Sequence, residues 1–250
     1  MALFLSIFPI VLLIYLMVKR NALPSYVALP WVAVVVLIIH LLFFATDITI
    51  ISANISSAIM SVFTPITVIF GAILFNRFSE ASGVTNTLRK WLGTINPNPV
   101  AQLMIIGWAF AFMIEGASGF GTPAAIAAPI LVGLGFNPIK VAILALVMNS
   151  VPVSFGAVGT PTWFGFGSLN LAETQILEIG SMTALIHSFA ALIIPVIALS
   201  FIVSWKEIRQ NIVFIYLSVF ACVLPYFFLA QVTYGFSSLV GGAFVVFIWI

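Results

Sequence analysis

Residues 115–129 read EGASGFGTPAAIAAP, and residues 149–165 read NSVPVSFGAVGTPTWFG. Each stretch sets glycine, serine and a Gly-Thr-Pro triplet inside otherwise apolar sequence, Gly121-Thr122-Pro123 in the first and Gly159-Thr160-Pro161 in the second. Glycine interrupts a helical run. Thr is a favoured N-cap, and Pro is favoured at the first helical position. The pattern therefore predicts two helices that stop at the glycines and restart at the triplets. A single stretch of this kind is equally well explained by close helix packing over small residues. Two Gly-Thr-Pro breaks favour broken helices.

The surrounding composition says what solvent these helices meet. Of the 250 residues, 63% are hydrophobic and 6% charged, against roughly 25% charged in soluble domains. Mean hydropathy is +1.29. So few charges cannot cover a water-exposed surface. Apolar runs lie at about 2–18, 27–46, 55–75, 100–136, 138–170, 181–204, 211–231 and 233–250. Lipid demands that backbone polar groups be satisfied within a segment, and no ten-residue alternation suggests a barrel, so these runs are predicted to be helices. The expected fold is an all-α, polytopic transmembrane bundle with two interrupted helices, either re-entrant or broken. Residues 2–18 are followed by Lys19 and Arg20 and lack a basic leader, which predicts a retained span. A net charge of +2, weak and scattered, gives no basis for nucleic-acid binding. Cys222 is the only cysteine, which excludes an internal disulfide and a cysteine zinc site. The absence of a P-loop, a dinucleotide fingerprint and a metal-spaced cluster predicts no cofactor, no metal and no ATP-driven step.

Basic residues mark the cytoplasmic side. They sit at Lys19/Arg20, Arg77/Arg89/Lys90, Lys140 and Lys206/Arg209. All four groups fall inside if the first three runs each cross once and 100–136 enters and returns. The stretch 138–170 then crosses once, with an interruption. That scheme puts Glu173 and Glu178 in an outside loop, and makes 78–99 a cytoplasmic loop or an interfacial helix with Trp91 and Leu92 beside its basic residues.

A helix that restarts inside the membrane presents unpaired N–H groups and the positive end of its dipole, which suits a carboxylate. The candidate binding residues are Ser118, Gly119, Gly121, Thr122, Asn149, Ser154, Gly156, Gly159 and Thr160. Ionisable residues within apolar sequence are costly and often carry ions or protons. Glu115 abuts the first break and is the first candidate for proton coupling, followed by His187 and Asp47; His40 is expected to be a packed core histidine.

At these two motifs, in this order, the chain resembles the lactate permease family of membrane carriers. The resemblance runs through the flanking spans. It implies symport of L-lactate and related 2-hydroxy monocarboxylates with a cation, usually a proton, across the bacterial cytoplasmic (inner) membrane. Family members are longer and carry a second set of spans, whereas this chain stops within the apolar run 245–250. One transmembrane domain over 1–250, the N-terminal half of a permease with the second half as partner, is the expectation. With no Lys or Arg in either motif, a monocarboxylate is easier to accommodate than a dicarboxylate. A different class of activity, an intramembrane serine protease, is raised by Gly116-Ala117-Ser118-Gly119 with His187 as base. It leaves Glu115 and the second triplet unexplained.

Overall fold

In a computed structural model the chain is described over residues 2–44 and 46–249, and every described element is helical. Met1, Ala45 and Ile250, which fall at or within expected apolar runs, lie outside the described residues, as does the Arg89 side chain. The chain divides into two compact units, Met1–Phe63 and Thr64–Ile250.

The first unit holds α1 (Ala2–Val18), α2 (Ser25–Leu42) and the start of α3 (Ile48–Ala81). α1 lays Phe4, Leu5 and Phe8 against Val35, Ile38, Ile39 and Phe43 around α2. The 34 residues of α3 rise about 1.5 Å each, more than a crossing of roughly 30 Å requires. Asp47 caps its first turn: Thr49 N donates to Asp47 Oδ1 at 2.7 Å. His40 departs from expectation. It is exposed at the end of α2, where the chain turns, with Nδ1 3.3 Å from Thr46 Oγ1 and its ring 5.5 Å from that of Phe44.

The second unit is built around one buried arm, Pro99–Ser118, composed of α5 (Pro99–Gln102), a π-helical stretch (Leu103–Phe110) and α6 (Ala111–Ser118). Asn98 caps it, accepting from Val100 N at 2.9 Å, and donates through its own amide to Asn211 Oδ1 at 2.8 Å. Leu103, Ile106, Trp108 and Phe112 are buried along the arm. After the first break α7 (Thr122–Gly133) doubles back, so a Cβ on Gly107 would meet Leu131 Cδ1 of α7 at 3.5 Å and Leu144 Cδ2 of α8 (Pro138–Asn149) at 2.8 Å. The run 100–136 is thus a helical hairpin. α8 leads through a 3-10 turn (Val153–Phe155) into α9 (Gly156–Phe166), and this pair is bent by 68°.

Then come α10 (Glu173–Ala191), α11 (Ile194–Ser200), α12 (Trp205–Gln210), α13 (Ile212–Ala230) and α14 (Ser237–Trp249). Glu173 and Glu178 lie on α10, not in a loop as expected. That helix starts eight residues before the expected 181, since Gln175 Oε1 accepts from Ala172 N at 3.0 Å and supports a polar first turn. Within 78–99 the chain forms α4 (Val84–Thr94), with Leu92 buried and Trp91 and Lys90 exposed. α12 begins with a reciprocal cap, Ser204 N donating to Glu207 Oε2 at 2.8 Å and Glu207 N donating to Ser204 Oγ at 3.4 Å.

The large apolar side chains exposed on α1, α2 and α3, among them Phe4, Trp31, Ile59 and Phe70, would be untenable in water but are expected against hydrocarbon. Five described helices are long and apolar enough to cross a membrane, or six if the bent pair counts as one. This is an all-α, polytopic membrane bundle. Lipid supplies little hydrophobic drive between helices, so close approach of backbones must hold them. α14 crosses α6 in this way. A Cβ on Gly116 would overlap the Leu239 backbone, and one on Gly242 would overlap the Met113 backbone. Gly116→Ala and Gly242→Ala should each lower thermal stability in detergent by about 1–3 kcal/mol, the usual cost of overpacking. Gly165→Ala, which meets nothing within 4 Å, should be nearly neutral.

Candidate functional site

The two breaks are alike in having a run of positive φ but differ at its first residue, where Gly119 has ψ −154° and Ala157 has ψ 53°. In the first, φ is positive at three consecutive residues, Gly119 (56°), Phe120 (50°) and Gly121 (79°); in the second it is positive at Ala157 (45°), Val158 (55°) and Gly159 (76°). Each left-handed turn ends on the glycine of a Gly-Thr-Pro triplet, and a helix restarts immediately after it. The glycines at 121 and 159 are needed for conformation, since a side chain in the left-handed region is strained. This shifts the expected capping by one residue. Gly121, not Thr122, occupies the N-cap of α7, with Thr122 the first helical residue and Pro123 the second. Gly159, Thr160 and Pro161 repeat the arrangement. Neither Thr is an N-cap. Thr160 instead donates Oγ1 to the Ala157 carbonyl at 2.6 Å, tying the restarted helix to its own turn.

The breaks meet. A Cβ on Gly119 would lie 2.8 Å from Ala157 N and 2.9 Å from Ala157 Cβ, so the first turn is seated directly on the second. Glu115 bridges them from behind. Its carboxyl group presses against Gly156, where a Cβ would collide with Oε1, and the Asn149 side chain at the end of α8 reaches it. Glu115 is 1% exposed. Among the described residues, Glu115 Oε2 and Asn149 Oδ1 are both buried without a hydrogen-bond partner, a costly state for polar atoms in a low dielectric.

In front of the breaks lies a cavity of ≈ 590 Å³. Of the nine expected binding residues, Ser118, Thr122 and Thr160 line it. Its apolar wall includes Ile114, Ala117 and Ile126, and α3 closes one side with Thr67, Val68, Gly71 and Phe75. None of its lining residues is charged. Gly119, Gly121, Gly156 and Gly159 shape the breaks without lining the cavity, and Asn149 stands behind it with Glu115. Ser154 is outside the wall, its carbonyl accepting from Thr162 Oγ1 at 2.7 Å. Sequence reasoning missed Val158 and Trp163, which both line the cavity, and the face of α3. The spacing 67, 68, 71, 75 is a helical face that could have been found by period.

His187 and Asp47 do not line the cavity. His187 Nδ1 lies 2.9 Å from Tyr226 Oη, and both rings pack on Phe155, the residue just before Gly156, so the pair backs the second break. Ser118 Oγ donates to the Ile114 carbonyl at 2.9 Å. A Ser118–His187 couple is not formed, and the protease reading loses its nucleophile–base contact. Asp47, in the other unit, caps α3, and the bonds from Thr49 hold its carboxyl below its ordinary range. Such a group stabilises the fold above its unfolded-state value and loses that contribution only as pH falls through the lower folded value. It therefore stays ionised near neutrality. Asp47→Asn is expected to leave the pH profile of transport unchanged between about pH 6 and 8, read as initial uptake rate.

These features define a class: a polytopic helical membrane protein whose two broken helices abut around a buried carboxyl group, beside a cavity with hydroxyl-bearing walls. The chain belongs to the L-lactate permease family, whose model matches residues 2–250. It is 79% identical over 244 residues, 98% of the chain, to a Haemophilus influenzae protein described as a candidate L-lactate permease, of which it covers 46%. It is 31% identical over 204 residues, 81% of the chain, to the L-lactate permease of Salmonella typhi, of which it covers 36%. A glycolate permease of Escherichia coli is 31% identical over 144 residues, 58% of this chain and 25% of that one. The chain thus spans less than half the length of these curated relatives. No solved structure matches it. These relatives are named as permeases.

Proposed function

We propose that this chain supplies the substrate and coupling elements of a secondary carrier that imports L-lactate and related 2-hydroxy monocarboxylates with a proton across the bacterial inner membrane. The observation that carries this reading is the contact of the two breaks around Glu115. Lactate and glycolate, the substrates in the relatives' names, share one carboxylate and an adjacent hydroxyl. A wall of Ser118, Thr122 and Thr160, with helix starts beside it and no charged residue, suits that pattern. A second carboxylate would have no cation to face, which disfavours a dicarboxylate.

Coupling follows from charge. A carboxylate in the cavity and an ionised Glu115 behind it would repel through a low dielectric, so substrate occupancy favours a proton on Glu115. Loaded with both, the site carries no added net charge, which eases the conformational step across the membrane. Repeated carriers commonly place such sites between halves, and the remaining length of the relatives is the proposed partner that completes the path. In this reading Lys140 and Lys206 face the cytoplasm and Glu173 the outside.

The test uses the whole permease with Cys222→Ser, so that a thiol at Ser118→Cys is the only one from this segment. L-lactate should protect that cysteine from an impermeant thiol reagent over the concentration range that saturates uptake. Absence of protection in a transporting protein places the site elsewhere. Glu115→Gln should abolish accumulation driven by a pH gradient while lactate exchange, which needs no net proton movement, continues. Thr160→Ala, by freeing the Ala157 carbonyl, should weaken lactate binding by about 0.5–1.5 kcal/mol.

A further inference from the structure

A second pocket, of ≈ 580 Å³, lies beyond the cavity at the breaks. It is lined by Glu173 and Thr174 from the start of α10 and by Thr233 and Tyr234 from the connection between α13 and α14. Two residues line both spaces: Val158 and Trp163. One is the central residue of the second left-handed turn, the other a tryptophan one turn into the helix that follows it.

Their setting differs from ordinary packing. Val158 is β-branched yet holds φ at 55°, a conformation that surrounding structure must impose. The connection between α13 and α14 imposes it. A Cβ on Gly159 would lie 2.9 Å from Gly235 Cα and 2.9 Å from Tyr234 Cδ2, and one on Gly235 would lie 3.2 Å from the Val158 carbonyl oxygen. Tyr234 is itself gripped from the other side, 3.0 Å from where a Cβ on Gly180 would stand, and packs its ring on Phe155. The turn that carries Val158 is thus clamped, while Val158 and Trp163 stay 40% and 38% exposed and line both cavities. A clamped backbone presenting two large side chains to two cavities is the geometry of a partition.

We propose that Trp163 and Val158 form the gate through which a small organic anion passes between a vestibule at the Glu173 end and the binding cavity. The proposal rests on the reading of the breaks as the substrate site, and makes Trp163 the residue that sets what can pass. Val158 narrows the opening from a fixed turn. Trp163, on the helix that follows, narrows it from the other side.

The whole permease with Cys222→Ser provides the test, probed with a sulfonate-bearing methanethiosulfonate, a membrane-impermeant anion, added from the side bearing Glu173. A cysteine at Thr233, in the vestibule, should react quickly whatever occupies position 163. A cysteine at Ser118, in the inner cavity, should react slowly with Trp163 in place and about tenfold faster in Trp163→Ala, equivalent to ~1.4 kcal/mol of barrier. Trp163→Phe, which keeps an aromatic plug, should restore most of the slow rate and guards against a fold lost in the alanine variant. Val158→Ala should accelerate the reaction in the same direction. A Ser118→Cys rate that ignores both substitutions, or that matches the Thr233→Cys rate in the unaltered gate, overturns the proposal. Failure of the substrate reading looks different: lactate would then not protect Ser118→Cys, although its rate still depended on Trp163.

Discussion

Everything in the second unit depends on one contact, the seating of Gly119 on Ala157. A helix that stops inside hydrocarbon frees N–H and C=O groups that no water can satisfy, and such backbone persists only where protein or an aqueous cavity covers it. Here each break covers the other, with Glu115 and Asn149 filling the space behind and a cavity in front. The contact requires that residue 119 have no side chain, since any Cβ there would press on the Ala157 backbone. One break alone would leave its freed groups against lipid or bulky side chains, which is why the two motifs belong together.

The strain in the turns shows how firmly the surroundings hold them. Phe120, Ala157 and Val158 adopt left-handed conformations that cost roughly 1–3 kcal/mol each, and they persist only because packing over-determines them. Behind the second turn, Phe155 lies 5.3 Å from Tyr226 and 6.1 Å from Tyr234, ring centre to ring centre, and Tyr226 is held by His187. Behind the first, α14 approaches α6 so closely that Gly116 and Gly242 admit no Cβ. The π-helical stretch Leu103–Phe110 lies in the same arm, at a place where such irregularity often accompanies function. Its Gly107 lets α7 and α8 close around it. The functional surface is therefore a product of packing several helices away from it.

Much of this was legible from residues alone. Apolar runs with few charges required a helical membrane bundle, and the paired Gly-Thr-Pro triplets located both breaks to within a residue or two. Glu115 stood out because a carboxyl group is costly in such sequence, and the structure buries it where the breaks meet. The capping chemistry was misread by one position, because propensity favours Thr at an N-cap whereas the left-handed turn that precedes each restart demands glycine there. The early start of α10 was hidden by its polar first turns, which lower hydropathy without breaking a helix.

What the sequence determined by itself is local: solvent class, helix positions, and where each helix must break, since these follow from side-chain polarity and from the φ that glycine permits. Which residues share a site was decided only by tertiary structure. Ser118, Thr122 and Thr160 came together while Ser154 and His187 did not, and Trp163 was placed between two cavities, because those outcomes depend on how far one helix can approach another. That distance is set by pairs of residues far apart in the chain, such as Gly159 with Tyr234 and Gly116 with Leu239, and no local pattern records it.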